Sequence, residues 1–344
     1  MRVSGRCLLV LTLTLLSAPP LHGATLLQPG YTDRLVTTVA GSSLSAGGLR
    51  LDPDGQLLVA SEGTRSILRV DPFTGATRVI ATATPDMQEL EDVTVLGDEI
   101  LVTARWRPQF LKAGLHQSGG PLTPFHTLEA TRNPLSSSIA PAGFGPFGGQ
   151  LVYTTFAHYG LEALDLESKV STRIVTVNFV TDVAFSAHGT LLGVDFDLRR
   201  VVEITPAGGM RDVATFEANT FLDGIAIHPV TGLAYVADAG QNKLWELDPV
   251  TGRVSTFGED ADFHNGFSKS GLTFSADGTT LFYSVGETGH QIRAIGGFPA
   301  VPEPLSLPLH GLAAAASCVL RPARRGGPRS ARPAPLAVPG GRCR

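Results

Sequence analysis

From Leu49 to Phe298 apolar and polar positions alternate in short runs, with period two and not at helical spacing. Such alternation predicts β-strands with one buried face. The runs come in a repeated phrase. Its fullest copy opens with Asp223-Gly224-Ile225-Ala226-Ile227 and turns at Thr231-Gly232. It continues through Ala234-Tyr235-Val236-Ala237-Asp238 and Leu244-Trp245-Glu246-Leu247, then ends at Arg253-Val254. Tight turns at Asp54-Gly55, Gly97-Asp98, Gly148-Gly149, His188-Gly189, Thr231-Gly232 and Asp277-Gly278 mark six copies. Glycine accepts the positive φ that hairpin turns need, so each of these predicts a hairpin. Asp71-Pro72-Phe73-Thr74-Gly75 and Asp248-Pro249-Val250-Thr251-Gly252 are near-identical turns into a fourth strand.

Four short strands in every roughly 40–50 residues predict an all-β fold, a six-bladed β-propeller over residues 31–298. The sixth unit has no fourth strand between Ile295 and Pro299. Asp33-Arg34-Leu35-Val36-Thr37-Thr38-Val39 has the pattern of the other fourth strands, so this N-terminal strand is expected to complete the last blade and close the ring. Closure removes the sheet edges that would otherwise invite pairing with other chains. The stretch Phe110–Phe147, rich in Gly, Pro and Ser, reads as long loops around blades two and three.

Outside the repeats, Arg2 and Arg6 precede an apolar run from Cys7 to Leu16, and the small residues Gly23 and Ala24 follow. That order predicts a signal peptide over residues 1–24 and export. At the other end Val301-Pro302-Glu303-Pro304 is followed by a mostly apolar stretch from Leu305 to Leu320, then Arg321, Arg324 and Arg325. This arrangement, over 299–325, resembles the PEP-CTERM sorting signal of Gram-negative bacteria. The resemblance implies transient membrane anchoring through 305–320 and an exosortase-type processing enzyme as partner. It also implies a periplasmic, cell-surface or extracellular location. Residues 326–344 run on as a basic tail read as disordered, where such signals usually stop.

The three cysteines, Cys7, Cys318 and Cys343, all lie outside the repeats, which excludes thiol chemistry and disulfides from the propeller. The repeats hold 18 Lys and Arg against 30 Asp and Glu, although the whole chain is only −4. So acidic a domain is a poor ligand for nucleic acid, whose phosphates need clustered cations.

Chemistry in a propeller is expected where the innermost strands begin. Glu91-Asp92, Thr181-Asp182 and Asp223 stand at equivalent positions there. Asp92, Asp182 and Asp223 are therefore candidate ligands for Ca²⁺ or another divalent cation, which prefers hard oxygen donors. The competing reading is that each aspartate organises loop backbone at its blade entrance. Glu91, Arg105, His264 and Asn265 are candidate ligand-binding residues beside them. Asp195 and Asp238, at the ends of second strands, read as turn anchors, and Trp245 as packing between blades. The scattered histidines have no metal-ligand spacing, and no phosphate loop or nucleophile motif occurs.

The repeats resemble NHL-repeat and gluconolactonase-like six-bladed propellers, through the apolar strand ending in Asp (Val236-Ala237-Asp238) and through Asp223-Gly224. That resemblance implies a divalent metal held by Glu, Asn and Asp at the channel mouth. Asp223 matches the family's Asp. The place of its Glu is taken by Ser45-Ala46-Gly47-Gly48, and that of its Asn by Thr181-Asp182. With the set incomplete, the first expectation is a non-catalytic exported binding or scaffold protein of the envelope, with polysaccharide or another envelope protein as partner. The alternative is a divalent-metal-dependent, lactonase-like hydrolase.

Overall fold

The computed structural model describes residues 24–39, 46–85, 89–156, 159–259, 263, 270–286 and 291–302. The signal-like start, the sorting-like segment beyond Pro302, the basic tail, His264 and Asn265 lie outside these residues. Among the described residues the secondary structure is strand, apart from one 3-10 turn at Gly145–Phe147. No helix there is long and apolar enough to cross a membrane.

Six antiparallel sheets follow one another along the chain. The first blade uses Ala46–Leu51, Leu57–Ser61, Ser66–Val70 and Thr77–Thr82, and the second Leu90–Leu96, Glu99–Ala104, Gln109–Gly114 and Thr123–Thr127. The third uses Pro134–Ile139, Leu151–Thr155, Gly160–Leu164 and Ser171–Thr176. Val180–Phe185, Leu191–Asp195, Arg200–Ile204 and Met210–Thr215 build the fourth. Leu222–Ile227, Ala234–Asp238, Lys243–Leu247 and Val254–Glu259 build the fifth. The sixth takes Leu272–Phe274, Thr280–Val285 and Gln291–Gly296 from the end of the chain, and Thr32–Thr38 from its start.

The ring therefore closes as the sequence predicts, with Thr32 opposite Gly296 and Thr38 opposite Gln291. Asp33 pins the joint by accepting from Arg293 Nη2 at 2.9 Å. Arg34 donates to the carbonyl of Pro72 at 2.9 Å, tying the closing strand to the first blade. The stretch read as loops differs: Phe110–Phe147 contains most of one strand, two complete ones and a two-residue bridge. Pro134 and Ser136-Ser137-Ser138 hide the third blade's inner strand, because no apolar alternation survives where that strand lines the channel instead of packing a core.

A propeller has no single centre of apolar packing, and here the core is split into six clusters, one at each joint between neighbouring sheets. Leu58, Ile67, Ile80, Leu90, Ile100 and Val102 fill the joint of blades one and two. Leu192, Val194, Leu222, Ile225 and Val236 fill that of four and five. Both faces of the middle strands are covered, so strands such as Leu57–Ser61 and Ala234–Asp238 are buried throughout. The expected turn chemistry holds. Asp71 accepts from the N–H of Phe73 and Thr74, at 2.8 and 2.9 Å, and Gly75 takes φ +72°.

Candidate functional site

Successive strands of a blade run antiparallel, so the inner strands begin at the end of the ring where the second strands finish. Glu91, Asp92, Thr181, Asp182 and Asp223 lie at the first end, and Glu62 and Arg105 directly follow second strands. The sequence thus brings to one mouth the residues it marked.

The three aspartates share a task. Asp92 Oδ2 accepts the N–H of Ser137 at 2.9 Å, Asp182 Oδ2 that of Ile225 at 2.9 Å, and Asp223 Oδ2 that of Ser270 at 2.7 Å. Ser137 and Ile225 belong to the inner strand of the next blade, and Ser270 lies just before it. Inner strands of neighbouring blades share no ladder, so their channel-facing N–H groups need other acceptors. Side chains add to the clasp. Ser136 Oγ donates to Asp182 at 2.6 Å, Ser270 Oγ to Asp223 at 3.1 Å, and Arg50 Nη2 to Asp92 at 3.3 Å. Gly48 stands where the resembled family's Glu would be, and the geometry gives the reason: a Cβ there would lie 2.0 Å from Asp92 Oδ1.

Asp92, Asp182 and Asp223 are present at the mouth, but their carboxylates are engaged by the neighbouring blade. Among the described residues no group of three His, Cys, Asp or Glu side chains is arranged to hold a metal ion. Asp238 and Asp195 are the turn anchors expected. Asp238 accepts from the N–H of Phe221 and Gly240 and from Trp245 Nε1 at 3.1 Å; Asp195 accepts from Leu198 N and pairs with Arg200. Trp245 also meets Phe216 edge-on.

Glu91 and Arg105 come together as a buried ion pair through Arg105 Nε. Arg105 Nη1 faces Glu89 at 3.6 Å, and Glu89 also accepts from Trp106 Nε1 at 3.1 Å. Arg105 Nη2 is buried and has no acceptor among the described residues. Burial pushes the Glu91 carboxyl well above its ordinary range; Arg105 opposes this, and Glu62, Asp223 and Glu89 reinforce it. Burial likewise lifts Asp223 from an ordinary 3.8 to about 7, against the pull of the Ser270 N–H and hydroxyl and with a push from Asp182. Beside the aspartates that clasp the next blade, the mouth thus gathers Glu62, Glu89, Glu91 and Asp223 near the Arg105 guanidinium.

An aromatic arc borders this cluster. Trp106 meets Phe156 at 4.8 Å between ring centroids, Phe156 meets Phe179 at 5.0 Å, Phe179 meets Phe196 at 5.5 Å, and Phe196 stacks on Phe221 at 5.6 Å. Its two ends are open to solvent, Trp106 at 55% and Phe221 at 42%. Trp106 has φ +61°, a left-handed conformation costly for a bulky side chain, and its bond to Glu89 helps hold it there.

Sequence reasoning missed Glu62, Glu89 and the arc. Glu62 carries a signal in retrospect, since it follows Ser61 at a second-strand end, as Arg105 follows Ala104. The four phenylalanines sit singly in four different loops, so nothing in the linear pattern joins them. At the opposite mouth a cavity of about 280 Å³ is lined by Arg50, Phe185, Ile225, Ile227 and Phe274, with no cluster of carboxylates.

No family model matches the chain, and no curated protein does. Solved structures do. A luciferin-regenerating enzyme is 14% identical with a TM-score of 0.62, over 79% of this chain and 99% of that one. The calcium-binding protein regucalcin of Agrobacterium tumefaciens is 13% identical with a TM-score of 0.61, over 78% and 95%. A gluconolactonase of Xanthomonas campestris is 14% identical with a TM-score of 0.60, over 77% and 89%. Identities this low speak to fold alone: in architecture the chain is a six-bladed propeller similar to the gluconolactonase and regucalcin structures.

Proposed function

We propose that the protein is a hydrolase of cyclic or simple carboxylic esters, a lactonase-like enzyme working at the mouth that holds Glu91, Arg105 and Asp223. The observation that carries this reading is the buried ion pair of Glu91 and Arg105, set among further carboxylates and leaving one guanidinium nitrogen without a partner. The gluconolactonase among the structural neighbours lends it support. That ranks the hydrolase above the non-catalytic binding protein that the sequence placed first.

The chemistry assigns three roles. Arg105 Nη2 donates to the ester carbonyl oxygen and takes up the negative charge that grows there as water attacks the carbon. Asp223, titrating near neutrality, accepts the proton of that water when ionised. Glu91, ionised in its pair with Arg105, holds the guanidinium in place, and the proton taken up by Asp223 passes to the departing alkoxide oxygen. One water is consumed, the acyl C–O bond breaks, and a hydroxy acid leaves. Export by the signal-like start and sorting through 299–325 belong to the same proposal, placing the enzyme in the envelope or outside the cell.

The test is hydrolysis by the purified chain of glucono-1,5-lactone, dihydrocoumarin and p-nitrophenyl acetate, followed by pH-stat. Turnover that falls about 100-fold or more in Glu91→Gln, with an unchanged melting temperature, is the expected result. Absence of turnover on the whole panel, or full activity in Glu91→Gln, would overturn the proposal.

A further inference from the structure

A divalent cation is what the resembled propellers would put at this mouth, and the residues present do not suit one. Arg105 already stands among the acidic side chains that would receive it. Its guanidinium binds Glu91 through Nε and faces Glu89 through Nη1, and its charge is felt by Asp223 across the channel. Only 8% of the Arg105 side chain is exposed. A metal ion placed among Glu62, Glu89, Glu91 and Asp223 would meet this fixed positive charge at close range, in a medium of low polarity where repulsion is strong. Asp92 and Asp182 already spend one carboxylate oxygen each on the N–H groups of Ser137 and Ile225.

We infer that Arg105 is a resident substitute for the cation. It neutralises the carboxylates of the mouth, and its buried Nη2 presents to an incoming carbonyl or carboxylate oxygen the positive pole that a metal would offer. This deepens the function proposed above, because it makes that site metal-independent and names its electrophilic group. An arginine suits the part: it keeps its charge when buried, and its planar fork can hold a carboxylate and an oxygen ligand together. The chain carries the substitution as one residue that directly follows a second strand and precedes Trp106, whose backbone is left-handed at φ +61°.

The inference makes a claim about binding that needs no substrate. Isothermal titration of the full chain with CaCl₂, MgCl₂ and MnCl₂ should give no site in the native protein. Arg105→Ala removes the positive charge that Glu89 and Glu91 share, and it should gain saturable divalent binding that Glu91→Gln in the same chain removes. Arg105→Lys, which keeps the charge but loses the fork, should stay metal-free and serves as the check if Arg105→Ala does not fold. Native protein that binds Ca²⁺ and loses it in Glu91→Gln would overturn the inference. So would an Arg105→Ala variant, folded by circular dichroism, that takes up no divalent ion. The two proposals separate cleanly. Lactone turnover that stops in EDTA and returns with Ca²⁺ leaves the hydrolase standing and sinks the substitution. Metal gained by Arg105→Ala in a protein inert to every ester does the reverse.

Discussion

Asp223 shows how one carboxyl can serve the fold and burden it. It clasps the fifth blade to the sixth through Ser270, yet it is 3% exposed and titrates at about 7. Its unfolded counterpart loses its proton near 3.8, so between these values the unfolded chain sheds a proton that the folded chain keeps. Stability from this group is whole below about pH 4 and lost as pH rises to about 7, a span of up to about 4 kcal/mol. Asp223→Asn retains an oxygen for the Ser270 N–H and removes the titration. Urea unfolding at pH 5 and pH 8 should show the variant's stability gaining on the native protein's at the higher pH. Asp182→Ala has no such compensation. It strands the buried N–H of Ile225 and removes the shorter acceptor of the Ser136 hydroxyl, and should cost about 2–4 kcal/mol at either pH. The same change at the exposed Asp71 turn should move the same unfolding midpoints far less. The positions of Asp92, Asp182 and Asp223 were legible in the sequence, because the repeat aligns them; their task was not. Whether a carboxylate faces a metal or the next blade's N–H depends on a partner some 43–47 residues away, and no local pattern records it.

Among the elements, the hairpins and fourth-strand turns were the most readable, since glycine and aspartate announce them by backbone need. Gly252 at φ +74° closes the Asp248 turn, and a Cβ there would come within 2.6 Å of the Val213 carbonyl on the preceding blade. Gly252→Ala should therefore destabilise by about 1–3 kcal/mol, a fall in melting temperature visible by calorimetry. The third blade makes the useful comparison. Its matching turn begins at Asp165, but Lys169 occupies the left-handed position at φ +61°, with its ammonium 3.5 Å from the Phe125 ring centroid. There a cation–π contact offsets what glycine would have spared. That blade's inner strand went unread for a related reason. The Ser136 hydroxyl donates to Asp182 and the Ser137 hydroxyl pairs with Thr94 Oγ1, so polar side chains stand where the alternation that reveals other strands would be.

Across the whole molecule the blade count and the manner of closure followed from a single absence, a missing fourth strand at the end and a spare one at the start. The six clusters that form the core explain why the count was readable at all: each blade must be apolar on both sides, so the pattern recurs at every unit. Deleting residues 24–38 removes the partner of Gln291–Gly296 and leaves its backbone donors and acceptors bare. That variant should elute from gel filtration as oligomers or aggregate, and the native chain should not.

The clamp of Asp33 on Arg293 joins residues 260 positions apart. The four main strands of every other blade are consecutive in the chain, but this blade must wait for its final strand to be delivered. Ring sealing is then expected to come last, with a half-built sixth sheet exposing its flank until it happens. A rearranged gene that starts between blades, with the old ends linked, would make all six from contiguous stretches and should refold faster to the same final state.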